Sequence, residues 1–194
     1  IVDGDHIMIL GAVYLKKQNK LANDTLVVTT MSNIGLHVAA KEYGIDLAIT
    51  DVGDRYVIEE MKKSGHNLGG EQSGHMIFLD YNTTGDGTLS SLIVSKIVKE
   101  EGKTLSEQSA LMTTYPQVLI NVEVRNEVKN KFMENDEIRA EIERLEKLMD
   151  GTGRVLIRPS GTQPLVRVML EGKDEGQIRE LAQGLADLIK EKLA

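Results

Sequence analysis

Arg158-Pro-Ser-Gly-Thr-Gln-Pro-Leu-Val-Arg167 sets two guanidinium groups on either side of a short turn rich in hydrogen-bond donors. A guanidinium is planar, permanently charged and able to meet phosphate oxygens two at a time. The turn adds the hydroxyls of Ser160 and Thr162, the backbone N–H groups of Ser160 to Gln163, and a glycine, Gly161, free to take positive φ. N–H groups converging in a turn make an anion-binding concavity. Arg158, Ser160, Gly161, Thr162 and Arg167 are therefore the candidate residues for holding a phosphate group. The same residues also fit a hairpin whose arginines pair with nearby carboxylates, and the pattern alone leaves both open.

Leu68-Gly-Gly-Glu-Gln-Ser-Gly-His75 is the second stretch able to do chemistry. Its three glycines would let backbone approach a bound molecule. A carboxylate, an amide and a hydroxyl at Glu71, Gln72 and Ser73 suit the vicinal hydroxyls of a sugar. His75 can exchange a proton near neutral pH, and it equally suits a hydrogen-bonded structural place at a strand start. Arg55 follows the loop Asp51-Val-Gly-Asp54, where it could contact a ligand or pair with Asp51 or Asp54. Asp3-Gly-Asp-His6 has the spelling of a magnesium site, but an aspartate-rich helix start explains it more simply. His6, His37, His66 and His75 lack zinc-ligand spacing.

Alternating strand and helix patterns position these stretches. Asp5 is expected to cap a helix running to about Gln18. Leu26–Thr30 reads as a buried strand, Ser32 or Asn33 as the cap of a helix to Tyr43, and Ile45–Thr50 as a second strand. A helix over Tyr56–Lys63, a strand over Met76–Leu79 and a helix over Thr88–Glu101, faced by Leu89, Leu92, Ile93 and Ile97, complete a βαβ-type mixed-sheet α/β domain. A short helix over Ser106–Met112 precedes Thr113-Thr-Tyr-Pro116, the best break in the chain, because proline stops helix growth. That divides the chain into residues 1–113 and 114–194. Beyond it come a strand at Val118–Val124, a helix at Asp136–Met149, two strands around the arginine turn and a last helix from Asp174. These make a small α+β domain, an antiparallel sheet with helices on one face.

The 194 residues carry a net charge of −7, 41% hydrophobic residues and no cysteine. The charge opposes broad nucleic-acid contact, which needs a basic face. It does not oppose a small anion held by local arginines. Disulfides and thiolate metal sites are excluded, and a reducing, cytosolic setting is permitted. No apolar run approaches membrane-spanning length. The chain starts at Ile1 and is expected to be a fragment of something longer.

Val52-Gly-Asp-Arg-Tyr-Val57, Gly70-Glu-Gln-Ser-Gly-His75, Asp80-Tyr-Asn-Thr-Thr-Gly-Asp-Gly87 and Arg158-Pro-Ser-Gly-Thr-Gln-Pro164 occur in this order. Together they resemble the C-terminal half of the α-D-phosphohexomutase family, and Glu71-Gln-Ser-Gly-His75 points to its glucosamine branch. The resemblance implies that residues 1–113 are the family's third domain and 114–194 its fourth. It implies interconversion of glucosamine 6-phosphate and glucosamine 1-phosphate through a phosphoserine and a bisphosphate, in the cytoplasm, towards UDP-N-acetylglucosamine and cell wall. Glu71 and Ser73 would hold sugar hydroxyls, with His75 and Arg55 assisting. Arg158, Ser160, Gly161, Thr162 and Arg167 would hold the phosphate not being transferred. Magnesium and the phosphoserine would sit in the missing N-terminal half, this chain's expected partner beside the phosphosugar. Gln163 departs from the family's usual glutamate and removes a negative charge beside the anion. Residue chemistry alone also fits a phosphosugar-binding module without catalysis, or a mutase for another hexose phosphate.

Overall fold

Thr25–Thr29 forms β1, with all five residues buried, in a computed structural model that describes residues 1–149 and 153–193. Its β-branched residues are covered on both faces. Leu26 and Val28 pack with Met8 and Ile9 of helix α1 (Gly4–Lys17) and Leu36 of α2 (Ile34–Glu42). Val27, pointing the other way, packs with Val57 and Met61 of α3 (Asp54–Ser64). The sheet runs β2-β1-β3-β4, where β2 is Asp46–Thr50, β3 Leu68–Gly70 and β4 Met76–Phe78. β2 and β3 lie parallel to β1, and β4 is antiparallel to β3. Helices α4 (Gly87–Glu101) and α5 (Leu105–Gln108) follow.

A second compact unit starts at Tyr115, the first spanning Ile1–Thr114. Its antiparallel sheet has the order β5-β7-β6: Gln117–Glu123, Leu165–Gly172 and Gly153–Pro159. Val118 and Val122 of β5, and Val166, Val168 and Leu170 of β7, share a core with Ile138, Ile142 and Leu145 of α6 (Asp136–Leu148). Ile178, Ala182, Leu185 and Ile189 of α7 (Glu175–Leu193) complete it. One sheet face thus carries both helices. Residues of the opposite parity, among them Asn121, Arg158 and Arg167, belong to the other face.

Several local expectations are corrected. Asp3, not Asp5, caps α1 by accepting from the His6 amide; Asp5 lies within the first turn, fully buried, and its Oδ2 accepts from the Asn33 amide at 2.7 Å. Leu68–Gly70, read as loop, is an interior strand whose two glycines hid it from a β-propensity reading. Leu92 does not belong to the buried face of α4; it is 65% exposed, whereas Ile97 is buried as expected and Ser90 is buried beside it. A 3-10 helix at Lys129–Glu134 was not foreseen. The turn expected at residues 150–152 lies outside the described residues.

Gly35, in the first turn of α2, is a close-approach glycine: a Cβ there would collide with the Thr113 carbonyl. Exposed Gly184 in α7 has nothing within 4 Å of such a Cβ. Helix propensity favours alanine at both places, by roughly 0.5–1 kcal/mol. Gly184→Ala should accordingly raise the melting temperature. Gly35→Ala should lower stability by about 1–3 kcal/mol through overpacking. Thermal melts of the two variants check both signs.

Candidate functional site

Parallel strands all end on the same edge of a sheet, so the loops that follow β1, β2 and β3 are gathered there. Glu71, immediately after β3, uses that convergence. Its Oε1 accepts from the Gly53 amide at the N-terminus of α3 at 2.9 Å, and its Oε2 lies 3.2 Å from His75 Nδ1. A positive helix end and an imidazole therefore hold a carboxylate that is 8% exposed. The loop closes on itself: the Glu71 amide donates to the His75 carbonyl and the Gly74 amide to the Glu71 carbonyl, both at 2.9 Å. The N-terminus of α1 is tied to it by the Gly4 amide, which donates to the Gln72 carbonyl at 3.1 Å.

Of the residues expected around a sugar, the structure brings Glu71 and His75 together and leaves Ser73 exposed, with no hydrogen bond among the described residues. Arg55 pairs with neither Asp51 nor Asp54. Its Nε donates to Glu59 Oε1 at 2.8 Å, one turn along α3, and its guanidinium lies 6.0 Å from the Tyr56 ring centroid. The Glu59 hydrogen bond, and after it the Glu59 charge, hold Arg55 above the ordinary arginine pKa. Gly69 and Gly70 are required by the protein's own packing, whereas Gly74, at φ +103°, has open space around it. A Cβ at Gly70 would strike the His75 carbonyl, and one at Gly69 would come within 2.8 Å of Met61 Sδ. Asp3 Oδ1 takes the His6 amide and lies 2.7 Å from His6 Nδ1. Among the described residues no three His, Asp or Glu side chains gather to hold a metal ion.

In the second unit, Arg158 and Arg167 are directly opposite one another in the β6–β7 ladder, and Asn121 is opposite Arg167 on the other side. Directly opposed residues share a face, so the three form one row. Neither Arg158 nor Arg167 has an acidic partner among the described residues. The contrast is internal: Arg55, Arg139, Arg144, Arg154 and Arg179 each pair with a Glu or Asp. Arg125, the remaining arginine, makes no ion pair among the described residues either, and it lines an open pocket of about 410 Å³ together with Gln163, Pro164 and Glu123. Arg167 Nε is buried and has no hydrogen-bond partner among the described residues.

The turn between the two arginines is partly self-bonded. The Ser160 amide donates to the Leu165 carbonyl at 2.9 Å and the Gln163 amide to Ser160 Oγ at 3.2 Å. Two of the four expected amide donors are thus used internally, which leaves those of Gly161 and Thr162 without a partner among the described residues. Gly161 does not take positive φ, and a Cβ there would meet nothing within 4 Å. Lys129 Nζ, missed in the sequence because no recognisable element surrounds it, donates to the Ser160 and Gln163 carbonyls at 2.6 and 3.2 Å.

A mixed α/β sheet with helices on both faces, followed by a small α+β unit with a basic turn, is a phosphohexomutase-type domain pair. Residues 3–115 match the description "Phosphoglucomutase/phosphomannomutase, alpha/beta/alpha domain III" and residues 119–188 "Phosphoglucomutase/phosphomannomutase, C-terminal domain". The chain belongs to the phosphoglucomutase/phosphomannomutase family. It is 71% identical to the phosphoglucosamine mutase of Clostridioides difficile and 61% identical to that of Thermoanaerobacter sp. strain X514, in each case over 100% of this chain and 43% of the relative. It thus spans less than half the length of these curated relatives. The fold also matches Aspergillus fumigatus N-acetylphosphoglucosamine mutase, solved in complex with GlcNAc-6P and magnesium. That match has a TM-score of 0.80 at 21% identity and covers 100% of this chain and 44% of that one.

Removing the Glu71 carboxylate strips the Gly53 amide of its acceptor. Glu71→Ala should therefore destabilise by about 1–3 kcal/mol. Ser73→Ala should stay within about 0.5 kcal/mol of the parent. Denaturant unfolding of the two variants reads the difference.

Proposed function

We propose that this chain is the substrate-recognising portion of a cytoplasmic phosphoglucosamine mutase, residues 1–113 being its third domain and 114–194 its fourth. The enzyme interconverts glucosamine 6-phosphate and glucosamine 1-phosphate through a bisphosphate, towards UDP-N-acetylglucosamine and cell-wall synthesis. The observation that carries this reading is the pair Arg158 and Arg167, held face to face with no acid between them beside two undonated amides. The sequence identity to phosphoglucosamine mutases supplies the sugar.

Phosphoryl transfer relies on positioning and on neutralising charge more than on covalent work by the protein. Arg158 and Arg167, with the Ser160 and Thr162 hydroxyls and the Gly161 amide, hold the phosphate that stays on the sugar. Guanidinium forks recognise the phosphate oxygens and not the carbon that bears them, so one cradle serves the 1- and the 6-phosphate in turn. Ser73 and the remaining lone pairs of Glu71 read sugar hydroxyls. The Glu71 contact at Nδ1 leaves His75 Nε2 for proton exchange, and Arg55 adds positive charge nearby. Magnesium supplies charge neutralisation at the transferring phosphoryl group. It and the phosphoserine would be held by the rest of the enzyme; here Asp3 and Asp5 are engaged with His6 and with the Asn33 amide.

In the full-length enzyme, Arg158→Ala and Ser160→Ala should each raise KM and lower kcat/KM by an amount worth roughly 1.5–3 kcal/mol. Steady-state kinetics in both directions make the check, and unchanged values in both variants would refute the cradle. This chain should turn over glucosamine 6-phosphate only when the preceding half is added. Binding without turnover in that mixture would instead point to a binding module.

A further inference from the structure

The turn between Arg158 and Arg167 can offer amides to an anion only if its carbonyls are turned elsewhere. A carbonyl carries a partial negative charge, and one facing the phosphate would oppose binding as strongly as an amide favours it. Lys129 answers this need. Its half-buried ammonium takes the Ser160 carbonyl at 2.6 Å and the Gln163 carbonyl at 3.2 Å, the two that bracket Gly161 and Thr162. It has no carboxylate partner among the described residues, so its charge is neutralised by nothing except these dipoles. Lys129 opens the 3-10 helix Lys129–Glu134, whose Phe132 is anchored in the core of the second unit. The ammonium is therefore supplied from a packed element and not from a free tether.

We propose that Lys129 is a positioning residue of the phosphate turn: it draws the Ser160 and Gln163 carbonyls to one side, leaves the Gly161 and Thr162 amides as the groups presented, and adds a third positive charge to those of Arg158 and Arg167. Charge and orientation act together here, since an ammonium bound to carbonyls at the back of a turn also strengthens the field its amides project. The inference rests on the phosphate reading of the turn. It differs from that reading in assigning a role to a residue that need not touch the ligand. Because the turn serves the phosphate at either end of the sugar, loss of Lys129 affects both reaction directions alike.

The test uses the full-length enzyme with Lys129→Met, Lys129→Gln, Lys129→Arg and Arg158→Ala, following KM and kcat for glucosamine 1-phosphate and glucosamine 6-phosphate together with thermal melting. Lys129→Met should raise KM for both substrates in parallel, by roughly 5–30-fold, with a smaller change in kcat. Lys129→Arg, which keeps charge and donors, should restore most of the loss. If Lys129→Met does not fold, Lys129→Gln is read by the same criteria. A fall in melting temperature with KM unmoved would make Lys129 a structural clamp and overturn the proposal. Should Arg158→Ala raise KM while the Lys129 variants do not, the cradle stands and the positioning role falls. Should Arg158→Ala itself leave KM unchanged, the cradle and the proposal fall together.

Discussion

Two like charges facing each other across an antiparallel ladder repel, by up to about 1 kcal/mol for an exposed pair. Arg158 and Arg167 are held in that relation by the register of β6 and β7, with buried Val166 and Val168 fixing which face each side chain must take. A strand slipped by one residue would relieve the arginines only by turning its core valines to water. The hydrophobic face therefore dictates the electrostatic arrangement on the other side. Farther along the same β6–β7 ladder, the same face shows the alternative, where Arg154 Nε meets the fully buried Glu171 at 2.7 Å. Where the sheet needs only stability it supplies an acid. Beside the turn Glu123 lies opposite Leu165 on that face, yet among the described residues neither Arg158 nor Arg167 pairs with it or with any other acid.

The first unit meets a different constraint in a related way. A nearly buried carboxylate needs donors, and Glu71 finds one at the N-terminus of α3 and another in His75. The Gly53 amide is brought within reach by the parallel order of β2, β1 and β3, which sends the loops that follow to one edge, whereas His75 comes from Glu71's own loop. The contacts that satisfy the buried charge and those that orient the imidazole are thus the same.

Much of this was legible in the sequence because local physics decides it. The alternation of Val118–Val124, the stripe Ile138, Ile142 and Leu145 and the break before Pro116 depend on near neighbours, and the elements lie close to where those patterns put them. The motifs around Glu71 and Ser160 carried the family in their spelling. Misreadings arose where burial overrode propensity. Gly69 and Gly70 looked like loop and are interior strand, because only glycine lets β3 pass so near Met61 and the His75 carbonyl. Asp5 looked like a cap and instead accepts from an amide twenty-eight residues away, that of Asn33.

The sequence by itself determined the identity of the charged and polar groups, their order and the periodicities that build each element. Only the tertiary structure decided which of those groups are already satisfied. Arg55 is engaged by Glu59, Ser160 and Gln163 spend their amides inside the turn, and Lys129 reaches the same turn from 31 residues away. Whether a donor is free depends on partners distant in the chain, and hydrogen bonding beyond a helical turn leaves no periodic trace in sequence.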